Sequence, residues 1–320
     1  FFIGLAEAFS SWKCACPPVF RVECGEMSED DKAFFKKLWF NGLGEFFYRN
    51  GIRTDIDSFV RIDAPEPKNI PQCEDYVSSG IEIVPVGGGK DSAVTTELLR
   101  PFGDKLRFFT VNDQLARAQC VLAAGYDESR IIKTYRTIDP NLLELNRRGY
   151  LNGHTPFSAI VAFLSYYCAY LIGAENIALS NESSANEANI GGTGVNHQYS
   201  KSYEFEKDFR DFSDGYFGLP IRYFSLLRPF NEVKIAKKFA ACPQYLKVFR
   251  SCNAGSKKNV WCCNCAKCLF VFIMLSPFVE RGELIEAFGC DMLDKADLLA
   301  DFEGLCGFSG VKPFECVGTA

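Results

Sequence analysis

The stretch Ile81–Val94 reads IEIVPVGGGKDSAV: an apolar run, three glycines, Lys-Asp-Ser and the first residues of a helix-forming segment. A β-branched run of this length that stops at glycine predicts a buried strand. Gly87, Gly88 and Gly89 permit positive φ and a close backbone approach, so successive N–H groups can converge on an anion. Asp91 and Ser92 fall at the expected helix N-terminus, where unpaired amides and the dipole favour phosphate, and Lys90 adds a compact positive charge.

Outward from this turn the chain alternates. Strands are expected at Ile81–Val86, Leu106–Val111, Arg130–Tyr135 and Asn176–Ser180. Helices are expected at Ser92–Arg100, at Gln114–Ala124 and in the uncharged segment Pro156–Ala174. The alternation predicts an α/β fold with a doubly wound parallel sheet. In such sheets ligands sit beyond the carboxyl ends of the strands, which would gather GGGKDS, Asn112 and the polar segment NESSANEAN (Asn181–Asn189) at one edge. Residues 1–75 read as an N-terminal domain remnant ending in a Pro-rich linker at Ala64–Pro71, residues 76–235 as the nucleotide-binding domain, and residues 236–320 as a C-terminal helical segment.

At 320 residues and a formal net charge of −5, the chain has the composition of a soluble globular enzyme and no global attraction to a polyanion. No nucleic-acid partner is therefore expected. Pro156–Ala174 approaches membrane-spanning length, but its serines and tyrosines favour a helix buried against the sheet, so no membrane insertion is expected. The chain opens at Phe1 inside the apolar run FFIGLAEAFSSW. We expect its natural start, and any targeting segment, to lie upstream.

Fifteen cysteines beside a nucleotide motif point to the reducing cytoplasm. In Ser251–Phe270, SCNAGSKKNVWCCNCAKCLF, Cys252 precedes Cys262, Cys265 and Cys268, the last three at CxxCxxC spacing. Four such thiolates suit a closed tetrahedral zinc site, which is structural because no position is left for water or substrate. Cys263 is either an alternative ligand or a bystander.

The polar segments supply candidates for chemistry. Glu182 and Glu187 offer carboxylates for Mg²⁺ or a substrate amine, with Asn181, Ser183 and Asn186 beside them. His197, Lys201 and Tyr203 in VNHQYSKSYEFEKDF are proton-transfer candidates of different ordinary pKa, and Cys316 in KPFECVGT adds a thiol. The only other histidine is His154.

GGGKDS resembles the SGGxDS signature of the pyrophosphate-loop (PP-loop, HUP-like) ATP pyrophosphatase superfamily, with Gly87 where serine is usual. Together, GGGKDS, NESSANEANI, VNHQYSKSYEFE, the Trp261–Phe272 cysteine motif and KPFECVGT resemble the UDP-N-acetylmuramoyl-L-alanyl-L-glutamate epimerase (MurL) family. That resemblance implies ATP- and Mg²⁺-dependent inversion of the terminal L-Glu of UDP-MurNAc-L-Ala-L-Glu, with release of AMP and pyrophosphate. The competing readings are a 7-cyano-7-deazaguanine synthase, a tRNA-thiolating enzyme of the same superfamily, and an inactive nucleotide-binding scaffold.

Overall fold

The computed structural model describes residues 1–68, 76–190, 194–309 and 312–318. The linker expected at Ala64–Pro71 lies outside the described residues from position 69 onward, as does Thr319 of the C-terminal motif.

The N-terminal region carries helices α1 (Phe2–Trp12), α2 (Glu29–Gly42) and α3 (Gly44–Arg49), with a short parallel pair, β1 (Val19–Arg21) and β2 (Arg61–Asp63). A capping box starts α2: the Ser28 hydroxyl accepts from Asp31 N at 3.1 Å, and the Asp31 carboxylate accepts from Ser28 N at 2.9 Å.

The main sheet comprises β3 (Ile81–Pro85), β4 (Leu106–Val111), β5 (Ile131–Thr134), β6 (Ala174–Leu179) and β7 (Arg222–Ser225), all parallel, in the order β5-β4-β3-β6-β7. The chain runs outward from β3 to β5, then returns to the other side of β3 for β6 and β7. This reversal is the doubly wound pattern, and its switch point lies between β3 and β6. The sequence pattern anticipated the first four of these strands but not β7, whose four residues flank Pro220 and carry no long apolar run.

Helices α4 (Lys90–Leu98), α5 (Leu115–Ala123), α6 (Pro140–Arg147), α7 (Phe157–Ile172), α8 (Tyr203–Phe217) and α9 (Glu232–Ala240) lie between and after the strands, followed by α10 (Ala266–Leu275), α11 (Arg281–Phe288) and α12 (Leu299–Leu305). Neighbouring strand residues divide between two cores, as the period of two requires. Ile83, Phe109, Ile177 and Tyr223 join an aromatic core with Phe35, Trp39, Phe163 and Phe209. Val84, Phe108 and Ala178 join a second core with Val94, Ile235, Phe239 and Phe270. The N-terminal helices therefore pack with α7 and α8 over one face, while α4, α5, α9 and α10 cover the other.

The apolar segment at Pro156–Ala174 forms α7, ended by Gly173 in the left-handed conformation immediately before β6. Among the described residues no helix is long and apolar enough to cross a membrane.

Candidate active site

A cavity of about 420 Å³ opens at the switch point. One wall is the glycine turn after β3. Gly88 has φ +85°, and a Cβ there would come within 3.1 Å of the Ala116 side chain, so both conformation and space require glycine. A Cβ on Gly87 would meet nothing within 4 Å, so a serine would be accommodated at that position. Gly89 caps α4 without a side-chain hydrogen bond, which leaves the first-turn amides beside the cavity.

Lys90 is buried and its ammonium reaches Asp91 at 2.5 Å and Glu232 at 2.7 Å. Burial opposes its charge, but Asp91, Glu232 and Glu182 more than offset that and raise its pKa. Glu182 is pushed up by burial first, and then by the charges of Glu232 and Asp91. Three carboxylates thus act on one ammonium, Asp91 and Glu232 in direct contact and Glu182 at longer range. Arg117, Arg250 and Lys267 also line the cavity and add positive charge to its wall.

The opposite wall is assembled from four distant segments. The Lys201 ammonium lies 3.0 Å from Cys316 Sγ, and the charge of the His197 ring acts on the same sulfur. His197 Nδ1 lies 2.5 Å from the buried Glu45 carboxylate of α3, and His154 packs beside it with ring centroids 4.2 Å apart. Lys13 fixes the His154 loop through Gly153 O at 2.5 Å and Thr155 Oγ1 at 2.7 Å.

These contacts divide the charges. Burial works against the His197 imidazolium, yet Cys316 and Glu45 raise its pKa to about 9. Burial and the neighbouring His197 charge depress His154 to about 3 and keep it neutral. Burial would raise the Cys316 thiol, but Lys201, Lys267 and His197 hold it well below the ordinary thiol value. The Glu45 carboxyl, despite burial, is lowered by its hydrogen bond from His197. The surroundings therefore favour the charged forms of Cys316, Lys201 and His197 alike.

Arg228 joins the two walls. Its guanidinium donates to Glu182 O at 2.9 Å, to Lys201 O at 2.7 Å and to the buried Glu206 carboxylate at 2.9 Å. One half-buried cation therefore links the carboxylate cluster to the thiol cluster.

The cysteine cluster borders the same cavity. The Sγ atoms of Cys252, Cys262, Cys265 and Cys268 all lie within 4.8 Å of one another, with Cys262 to Cys268 at 3.7 Å and Cys265 to Cys268 at 3.5 Å. These four could hold a metal such as zinc. Gly255 N donates to Cys252 Sγ at 3.2 Å, and a Cβ on Gly255 would lie 1.9 Å from Val260 O, so the knuckle closes only around glycine. Cys263 is a bystander to this cluster, because its thiol turns away to Phe288 O at 3.2 Å. Arg250 N bonds Gly88 O at 2.7 Å, which ties the cysteine-bearing segment directly to the glycine turn.

Of the residues singled out in the sequence, Gly87, Gly89, Lys90, Asp91 and Ser92 line the cavity together with Asn181, Glu182, His197, Lys201 and Cys316. Gly88 lies behind them as the turn's pivot. Tyr203 is exposed at the start of α8, and Ser183, Asn186 and Glu187 are exposed too; none of the four lines the cavity. Asn186 instead accepts from Tyr203 N at 2.7 Å, which makes it a local fastening of the loop. Asn112 follows β4 in an adjoining depression and accepts from Arg136 N at 2.7 Å.

Sequence reasoning missed Glu232, Glu45, Arg228 and Arg250. A signal existed for Glu232, since Asn231 is a strong N-cap, accepting from Lys234 N, ahead of the amphipathic run Glu232–Ala240. Glu45 had none, because it sits among phenylalanines on a six-residue helix.

Family models described as MurL N-terminal domain and MurL C-terminal domain match residues 1–226 and 248–320. The UDP-N-acetyl-alpha-D-muramoyl-L-alanyl-L-glutamate epimerase of Xanthomonas oryzae pv. oryzae is 36% identical over 325 aligned residues, 99% of this chain and 70% of the relative. Epimerases of the same name from Salinispora tropica and a Micromonospora strain are each 36% identical, over 89% and 99% of this chain. The chain spans 63% and 71% of their respective lengths.

Proposed function

Because the chain belongs to the MurL family, whose relatives are named for epimerising a UDP-muramoyl dipeptide, we propose that it inverts the terminal L-Glu of UDP-MurNAc-L-Ala-L-Glu to D-Glu. The reaction consumes ATP through an acyl-adenylate and releases AMP and pyrophosphate. The observation that carries this reading is the cavity that joins the Gly87–Ser92 turn to a thiol, imidazole and ammonium cluster.

The chemistry explains why both walls are needed. Taking the α-proton from a free carboxylate would place a second negative charge next to the first. In the proposed sequence the substrate carboxylate attacks the α-phosphorus of ATP, and the bond to the leaving pyrophosphate breaks. The resulting mixed anhydride carries no carboxylate charge, so its α-carbon is far more acidic. A base removes that proton, a proton returns to the opposite face, and water cleaves the anhydride to AMP and the D-Glu carboxylate.

The first-turn amides of α4, Lys90, Arg117 and Arg250 would hold the triphosphate and the departing pyrophosphate. Asp91, Glu182 and Glu232 would hold Mg²⁺, which when bound neutralises charge on the phosphates. Asn181 is positioned to contact substrate beside them. Proton transfer belongs to the opposite wall, among His197, Lys201 and Cys316. The four cysteines would carry a structural zinc that fastens the segment from Arg250 to Asn259 against the glycine turn. The site of action is the cytoplasm, where UDP-linked precursors and ATP meet.

Exchange of labelled pyrophosphate into ATP tests the adenylation half. Exchange that requires UDP-MurNAc-L-Ala-L-Glu supports the reading, and its absence with this substrate refutes it. Exchange driven instead by a carboxy-deazaguanine acid would favour the deazaguanine synthase.

A further inference from the structure

We propose that Glu45 is the positioning residue of a relay running through His197 to Cys316, in which the sulfur takes the α-proton of the activated glutamyl residue. The proposal rests on the epimerase reading above, and it assigns a role to a side chain of the N-terminal region far from every sequence motif.

The argument begins with the burial of a carboxylate in an aromatic setting. Glu45 is 6% exposed on a helix whose next two residues are Phe46 and Phe47, and its carboxylate faces the two histidine rings. A lone carboxylate there would be costly, so its contacts must offset its desolvation. Arg49 approaches one oxygen at 2.5 Å, and His197 Nδ1 holds the other at the same distance. His154 lies 3.5 Å from that second oxygen, in the looser position. Two imidazoles thus share one oxygen, His197 holding it at 2.5 Å against 3.5 Å for His154, and His197 also acts on the charge of Cys316. This is the signature of an activated thiol: a nucleophile or base, an imidazole within reach, and a third group that orients the imidazole.

The arrangement also decides which atom can accept a proton. The pKa values of Lys201 and His197 are raised, which favours their protonated forms. That of Cys316 is lowered, so of the three it is the group whose surroundings favour a free electron pair. Sulfur therefore becomes S–H as the C–H electron pair passes into the enolate of the acyl-adenylate. A proton derived from solvent returns to the other face of the carbon, and sulfur releases its own proton to water at the end of the cycle.

Other charges face this relay. Lys267 of α10, Lys312 and Glu315 act on Cys316 from the C-terminal side, while Asp91 and Glu182 act on Lys201 from the glycine-turn wall. A change at Glu45 alone leaves these in place, so its effect on the sulfur is separable from theirs.

The test compares wild type with Glu45→Gln and Glu45→Asp, measuring Cys316 alkylation by iodoacetamide across pH by peptide mass spectrometry, together with kcat and KM. We expect Glu45→Gln to move the onset of Cys316 alkylation upward in pH and to lower kcat on the order of 100-fold with KM held, the scale of losing one acid–base partner. Glu45→Asp should recover part of both. Substrate-dependent pyrophosphate exchange should persist in Glu45→Gln. If that variant does not fold, His197→Gln carries the same alkylation measurement. An unchanged alkylation profile overturns the relay, as does finding a divalent ion shared by Glu45, His154 and His197. Failure of exchange in wild type would instead sink the epimerase reading, and the alkylation profile would still judge the relay.

Discussion

The two walls of the cavity are built in opposite ways. The glycine-turn wall draws most of its groups from one stretch, Gly87–Ser92, where a strand end, three glycines and a helix start fix the geometry locally. The thiol wall brings together Glu45, His154, His197, Lys201 and Cys316, which span most of the chain and meet only when the fold is complete. A local turn can bind phosphate in many proteins, because backbone amides and one lysine suffice. A constellation collected from distant segments is where, on the reading proposed above, the chemistry peculiar to one substrate would lie. On that reading the general step is written in sequence, and the particular step in tertiary structure.

This contrast predicts that the walls can be disabled separately. The largest effect should come from Cys316→Ala, which we expect to lower epimerisation by roughly 10⁴-fold, the upper range for removing a proton-transfer group. Pyrophosphate exchange in this variant should stay within a few-fold of wild type, as a radiolabel assay would read. Loss of both activities together would break the separation.

Lys90→Ala is the complementary case. It removes the counterion of Asp91 and Glu232, and it should depress exchange and epimerisation alike by about 10²- to 10³-fold, the scale of one preorganised electrostatic contact. Alkylation of Cys316 should keep its wild-type pH profile.

Cys265→Ser probes the fastening behind the glycine wall. We expect it to lose the bound metal and lower the melting temperature, since binding and folding are coupled. Elemental analysis and a melting curve check both. Unchanged metal content would remove zinc from the account.

The smallest effect is in pH. The pKa of His197 is raised to about 9, so the ring holds its proton through neutral pH and loses it as pH climbs past that value. Epimerisation should therefore decline above this point, as the sulfur loses its imidazolium partner, while exchange stays flat over the same range. In Glu45→Gln the basic limb should begin at lower pH, because a partner that favours the charged ring is gone.

The same contrast explains what the sequence disclosed. Alternating strands and helices, GGGKDS and the four cysteines are local patterns, and each fell where periodicity or spacing put it. Tyr203 and Asn186 read equally well as site residues, but Asn186 spends its side chain on the Tyr203 backbone amide and both face solvent. Glu45 was hidden because an isolated acid on an aromatic helix normally faces water. Only the arrival of His197 from a loop 152 positions away turns it inward. Arg228 was hidden for a similar reason, since its role depends on where Glu182, Lys201 and Glu206 come to lie.

The central claim is that activation at one wall enables inversion at the other. Its most direct test incubates the protein with ATP, Mg²⁺ and UDP-MurNAc-L-Ala-L-Glu in deuterated water, then reads AMP, glutamate chirality and α-deuterium by chiral chromatography and mass spectrometry. The account predicts D-Glu carrying deuterium at the α-carbon, formed only when ATP is present and accompanied by AMP. Inversion without AMP, or AMP formation that leaves L-Glu unlabelled, would contradict it.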